Sequence, residues 1–143
     1  MIQFIPPDQI EAAWPQMIAV LEPAFHYSSL SRQVVLADLI SGEKAAFRMT
    51  DGGEGYVVAK WGYPEGSKDL TLWVLLAAGF AAGTMKQRAA CMCARLHEIE
   101  QVARNAACKA VRIEGRRGWA RVLPHYTVID AYGDNYVYER ALA

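Results

Sequence analysis

Leu70-Thr71-Leu72-Trp73-Val74-Leu75-Leu76 is apolar almost throughout, as a central strand covered on both faces must be. A glycine- and alanine-rich loop, Ala77 to Gly83, follows it. Thr84 with Gln87 three residues later is a capping box, and it opens a long helix to about Ala107. Along that helix Met85, Ala89, Met92, Leu96, Ile99, Ala103 and Ala106 advance by four and three, one continuous apolar stripe. Ala110 to Glu114 is the next strand, and Gly115-Arg116-Arg117-Gly118-Trp119-Ala120-Arg121-Val122-Leu123 turns into a short helix. A helix of this length between two apolar strands is expected as a right-handed crossover joining a parallel pair.

Working outward, Ile2 to Ile5 is a short strand closed by Pro6-Pro7. Asp8 and Glu11 form a capping pattern ahead of Ile10, Ala13, Trp14, Met17, Ile18 and Leu21 at helical spacing. Pro15 sits inside that run and predicts a kink or a new helix start. Ser31 begins a second helix ended by Gly42. Ala45 to Met49 and Tyr56 to Trp61 flank the turn-rich Asp51-Gly52-Gly53-Glu54-Gly55 and predict a hairpin. Near the end, Thr127 to Tyr132 alternates, Tyr132-Gly133-Asp134-Asn135 turns, and Tyr136 to Ala141 returns. The predicted order is β-α-α-β-β-β-α-β-α-β-β in one domain, residues 1–143. The class is α/β (α+β), with a mixed central sheet of about six to seven strands and helices on both faces.

Composition narrows the function classes. The 143 residues carry 15 basic and 15 acidic side chains, so there is no net charge. The halves differ: residues 1–83 hold five Lys/Arg against nine Asp/Glu, and 84–143 hold ten against six. A basic C-terminal half suits an anionic cofactor, but it is far from a nucleic-acid footprint. No apolar run is long enough to span a bilayer, and the N-terminus lacks a basic flank for a signal. Cys91 and Cys93, two apart on a helix, point in different directions and share no metal. With Cys108 they read as reduced, buried small residues in a cytoplasmic protein.

The element order resembles the GNAT superfamily of acyl-coenzyme A N-acyltransferases over nearly the whole chain. Two places sharpen this to the small GNAT-like proteins encoded by tailed bacteriophages. One is Trp14-Pro15 with Leu21 and Ala24. The other is Val102 to Cys108 running into Val111-Arg112-Ile113-Glu114-Gly115-Arg116-Arg117-Gly118-Trp119.

The resemblance implies an acetyl-coenzyme A site in the loop before the long helix, where oriented N–H groups hold a pyrophosphate. The candidate cofactor-binding residues are Val74, Leu76, Gly79, Ala82, Gly83, Thr84, Lys86, Arg88 and Arg117. The family pattern Gln/Arg-x-x-Gly-x-Gly/Ala is met in part. Three residues separate Gly79 from Gly83, and Leu76 stands where a basic or amide residue is usual. Lys86 and Arg88 either replace that charge or are solvated cations on the helix face. A backbone N–H near Val74 to Leu76 is implied as the donor to a thioester carbonyl.

Two candidate catalytic residues follow. Glu114 is the carboxylate this topology places at the end of a central strand, with Arg112, Arg116 or Arg117 expected as its ion-pair partner. Tyr126 is either a structural tyrosine at a strand start or, where the turn at Pro124 swings its hydroxyl back, the stand-in for the tyrosine that the short helix lacks. Arg112, Arg116, Arg117 and Arg121 serve coenzyme A phosphates, a partner, or solvent. Trp119 is expected to be buried against the long helix, His26 to be exposed in a loop near the acceptor side, and His97 to lie at a helix edge.

Two functions remain open: transfer of an acetyl group to a small amine, or a non-catalytic phage interaction or virion-associated protein with a phage or host partner. No metal, membrane or nucleic acid is expected. The expected location is the cytoplasm, the host's if the chain is phage-encoded, with the virion as the alternative.

Overall fold

The computed structural model describes residues 2–50, 53–79 and 84–142. Its strands are β1 (Ile2–Ile5), β2 (Ala45–Met49), β3 (Gly55–Gly62), β4 (Thr71–Gly79), β5 (Ala110–Arg116), β6 (Thr127–Tyr132) and β7 (Asn135–Ala141). Its α-helices are α1 (Ile10–His26), α2 (Arg32–Ser41) and α3 (Met85–Asn105), and the short helix after β5 is a 3-10 turn, Arg117–Arg121. The strands form one sheet in the order β1-β2-β3-β4-β5-β7-β6. Only β4 and β5 are parallel; every other pair is antiparallel. The α+β class and the mixed seven-stranded sheet agree with the expectation from sequence.

Apolar side chains go to two cores, one on each face. Met17, Leu21, Val35 and Leu39 of α1 and α2 pack with Ala46, Tyr56, Val58 and Leu76. On the other face Ile99 and Ala103 of α3 pack with Val57, Val74, Val111, Ile113 and Tyr138. In β2 and β3 the pleat makes this partition, since alternate residues face opposite sides. In β4 the register shift at Leu75 sends Val74 and Leu76, two residues apart, to different cores.

The helix starts show where local signals prevail and where packing does. Ser31 caps α2 through Val34 N–H, Gly42 ends it at φ 86°, and the Thr84–Gln87 capping box opens α3. The Asp8–Glu11 cap does not form. Pro7–Gln9 is a 3-10 turn instead, and α1 begins at Ile10 without a side-chain cap. Nor does Pro15 break or restart α1, which runs through both Pro15 and Pro23. Both prolines lie on the exposed side, while Ile10, Met17, Leu21 and Phe25 are buried. Burying that stripe offsets the backbone hydrogen bonds the prolines remove.

Two further expectations are corrected. β4 continues to Gly79, because Ala77, Ala78 and Gly79 pair with Val57, Tyr56 and Gly55 of β3. The first three residues of the predicted loop are therefore strand, and its candidate residues Ala82 and Gly83 lie outside the described residues. A Cβ on Gly79 would stand 2.7 Å from both Gly55 Cα and an Arg95 guanidinium nitrogen, so only glycine fits there. The apolar stripe of α3, in turn, is buried only in part among the described residues, and Ala106 at its end is exposed. Ile99 and Ala103 are covered, but Met92 is 40% exposed. Burial holds for Cys108, not for Cys91 or Cys93.

Candidate functional site

The sheet opens at its centre. β4 and β5 are paired only from Thr71↔Ala110 to Val74↔Ile113. Beyond that point β4 follows β3 to Gly79, and β5 follows β7 to Arg116. The ladder between β3 and β4 also skips a residue here: Val58 faces Leu76 and Ala59 faces Val74, which leaves Leu75 without a cross-strand partner. A bulge of this kind interrupts the regular hydrogen-bond ladder and re-aims the strand.

A cleft of about 950 Å³ occupies the opening. Its walls are Leu75 to Gly79 of β4, Glu114 to Arg116 of β5, the end of α1 with His26 and Tyr27, and Tyr132, Asn135 and Tyr136 from the terminal hairpin. Asn135 ties two of these walls together, its amide donating to the Tyr27 carbonyl at 2.6 Å. A second cavity of about 510 Å³ lies under α3 on the opposite face. It shares Ala77, Ala78, Gly79, Met92 and Trp119 with the first and is otherwise apolar apart from Tyr56, Arg88 and Arg95. The gap between β4 and β5 is thus reached from both faces of the sheet.

Glu114 stands in the cleft wall, half-buried. Burial pushes its carboxyl above the ordinary carboxylate range, and the Lys60 charge offsets part of that rise. None of the three expected arginines pairs with it. Arg112 binds Glu139 at 2.6 Å, Arg116 lies over the Tyr27 ring at 3.6 Å, and Arg117 donates to the Gly133 carbonyl at 2.8 Å. Among the described residues no hydrogen bond or ion pair holds Glu114.

Tyr126 is elsewhere. Its hydroxyl donates to Glu100 at 2.9 Å, and Arg140 reaches both oxygens of the same carboxylate at 3.1 and 2.9 Å. Burial first, then the Glu100 charge, drives the Tyr126 hydroxyl far up, away from proton transfer at neutral pH. The group ties α3 to β7 and to the segment before β6.

The candidate cofactor residues divide. Leu76 and Gly79 line the cleft, and Val74 and Arg88 line the second cavity. Thr84 caps α3, and Lys86 is exposed in its first turn. Arg117, at the start of the 3-10 turn, reaches across to the hairpin turn through Gly133 and lies over Tyr136 of β7 at 5.1 Å; Arg116 is the arginine of the cleft.

In the sequence Arg116 is one member of a basic cluster. The signal that would have separated it is the pleat of β5, which puts Arg112, Glu114 and Arg116 on one face. Tyr27 and Asn135 were missed altogether, because they meet only in three dimensions. Trp119 lines both cavities and is only partly buried. A Cβ on Gly115 would stand 2.2 Å from its indole ring, which explains the spacing between the glycine and the tryptophan. His26 ends α1 and lines the cleft, rather than lying in a loop. Among the described residues no group of three or more His, Cys, Asp or Glu could hold a metal, and no helix is long and apolar enough to cross a membrane.

The geometry fits part of an acyl-thioester cofactor. The open strands offer a slot for an extended arm, and the bulge at Leu75 falls in the stretch where a carbonyl donor is implied. At the start of α3 the Gln87 N–H already bonds Thr84 and the Thr84 N–H bonds Gln87. Charge there comes from Lys86 and Arg88.

Comparison with known proteins defines the class by fold. No protein-family model matches the chain, and no curated protein matches its sequence. Solved structures do. An IAA acetyltransferase from Bacillus cereus superposes with a TM-score of 0.63 at 11% identity, covering 99% of both chains. The GNAT domain of PAT from S. lividans gives 0.65 at 18%, covering 99% of this chain and 89% of that one. NAA60 from Arabidopsis thaliana, solved in complex with acetyl-CoA, gives 0.64 at 12%, covering 99% and 98%. The chain has the fold of the GNAT acetyltransferases.

Proposed function

We propose that this protein is an N-acyltransferase that moves an acetyl group from acetyl-coenzyme A to a small amine. The observation that carries the reading is the opening of β4 from β5 beyond Val74 and Ile113, with Glu114 in its wall and free of ion pairs and hydrogen bonds among the described residues. When bound, the cofactor supplies a thioester carbonyl and a thiol leaving group. The chain's own residues do the rest. The interrupted ladder at Leu75 leaves backbone N–H capacity for polarising a carbonyl in the slot. Ala77, Ala78 and Gly79 keep the β4 wall flat, so an extended arm can lie along it. Glu114 accepts a proton from the incoming ammonium, a role its raised pKa suits. One C–N bond forms, one C–S bond breaks, and one net proton is released through Glu114. Lys86 and Arg88 serve the cofactor's phosphates.

Calorimetric titration with acetyl-coenzyme A tests the reading, alongside an Ala78→Phe variant that fills the slot. Saturable micromolar binding weakened at least tenfold in the variant supports it, and amine-dependent thiol release completes it. No heat and no thermal stabilisation at millimolar ligand would remove it. One observation favours a second reading: Tyr126 is committed to Glu100, away from the cleft. On that reading the scaffold is a non-catalytic interaction module of the phage or virion-associated kind, and the titration is silent.

A further inference from the structure

The cleft carries opposite charges at a fixed spacing. Glu114 and Arg116 are two apart on β5, so they share one face of the sheet, about 6.6 Å apart along the strand. Both line the cleft. Of the other charged groups nearby, Lys60 lies over the Trp73 ring at 4.8 Å and Arg112 is bound to Glu139, while Asp134 of the hairpin turn also lines the cleft. Arg116 makes no ion pair among the described residues. It lies instead over Tyr27 at 3.6 Å, and Tyr27 is held by Asn135. A guanidinium held over a ring face can still present its edge N–H donors to a planar anion. A carboxylate is the anion that matches that fork.

We propose that the acceptor is a free α-amino acid, its ammonium at Glu114 and its carboxylate at Arg116. The inference rests on the acyltransferase reading and adds the acceptor's chemical class. The two heads form no ion pair, so they stand more than 4.0 Å apart; an ammonium and a carboxylate on one carbon, each extended by one hydrogen bond of about 3 Å, can bridge such a gap. A simple amine satisfies Glu114 and leaves Arg116 unused. A peptide N-terminus has an amide where the carboxylate belongs. Arg116 is thus a specificity-determining residue, and it projects from an exposed strand end where its loss costs the fold little.

The test is binding, so it does not require turnover. A panel of free amino acids and the corresponding amino acid amides is titrated calorimetrically at pH 7, with and without saturating coenzyme A. The amide keeps the amine and side chain and removes one charge. At least one amino acid should bind tenfold or more tightly than its amide. Arg116→Ala should abolish that preference while changing amide affinity less than twofold. Glu114→Gln should weaken both. Equal affinity for acid and amide, an unchanged preference in Arg116→Ala, or no amino acid binding in either condition would each overturn the inference. Failure of the two readings is separable. Acetyl-coenzyme A binding without acid–amide discrimination removes this inference alone. Arg116-dependent amino acid binding without acetyl-coenzyme A binding removes the transferase and leaves the amino acid site.

Discussion

Glu100 and Glu114 are the same residue placed on opposite terms. Glu100, on α3, is 1% exposed, yet it receives Tyr126 and both oxygens are met by Arg140. Glu114, on β5, is less buried and has no such partners. A buried carboxylate is tolerated only when it is paired and hydrogen-bonded. The first therefore belongs to the architecture. The second keeps an open coordination that water or a ligand must fill, which is what a proton-accepting site needs.

The largest effect should come from breaking the satisfied carboxylate. Glu100→Ala strips the counter-charge from Arg140 and the acceptor from Tyr126. A loss of about 3–5 kcal/mol in a urea unfolding curve is expected. A loss below 1 kcal/mol would mean the cluster is surface ornament.

Next is Glu114→Gln. It should lower acetyl transfer by about a hundredfold or more, the range of one general base, with the urea midpoint unchanged or higher. The sign of the stability change follows from linkage. Burial raises the folded-state pKa of Glu114, so its contribution is most favourable below the unfolded pKa. It fades as pH rises through the folded value, and at neutral pH the charge is a small cost. The same shift displaces the acid limb of the wild-type pH–rate profile above the usual carboxylate range, and the glutamine variant should lose that limb. A limb at an ordinary carboxylate pH would show that another group is the base.

Tyr126→Phe is the smallest perturbation. Removing one hydrogen bond to Glu100 should cost about 1 kcal/mol, with transfer by folded enzyme unchanged. A tenfold loss of rate at intact stability would return Tyr126 to the site.

How much of this was legible depended on range. The Thr84–Gln87 box, the Ser31 cap and Gly42 are local, and each formed as read. Asp8–Glu11 was equally local in sequence, but packing of Ile10 placed the helix start one step on, and the side-chain cap was lost. Ala77 to Gly79 looked like loop because small residues carry no periodicity. They are strand because Gly55 to Val57 lie alongside. In the site, Glu114 was readable from its place at a strand end. Tyr126 stayed open between a structural place and the site, because a tyrosine just after the short helix can turn either way; it turns to the buried Glu100.

By itself, then, the sequence determined the element order, the fold class and the two cores, since these follow from periodicity, caps and turns within a few residues of each other. Only the tertiary structure decided that β4 and β5 part after Val74 and Ile113, that Arg116 and not Arg117 faces the opening, and that Glu114 has no ion-pair or hydrogen-bond partner among the described residues. Those facts depend on which distant side chains compete for the same space and charge, and no local pattern records that competition.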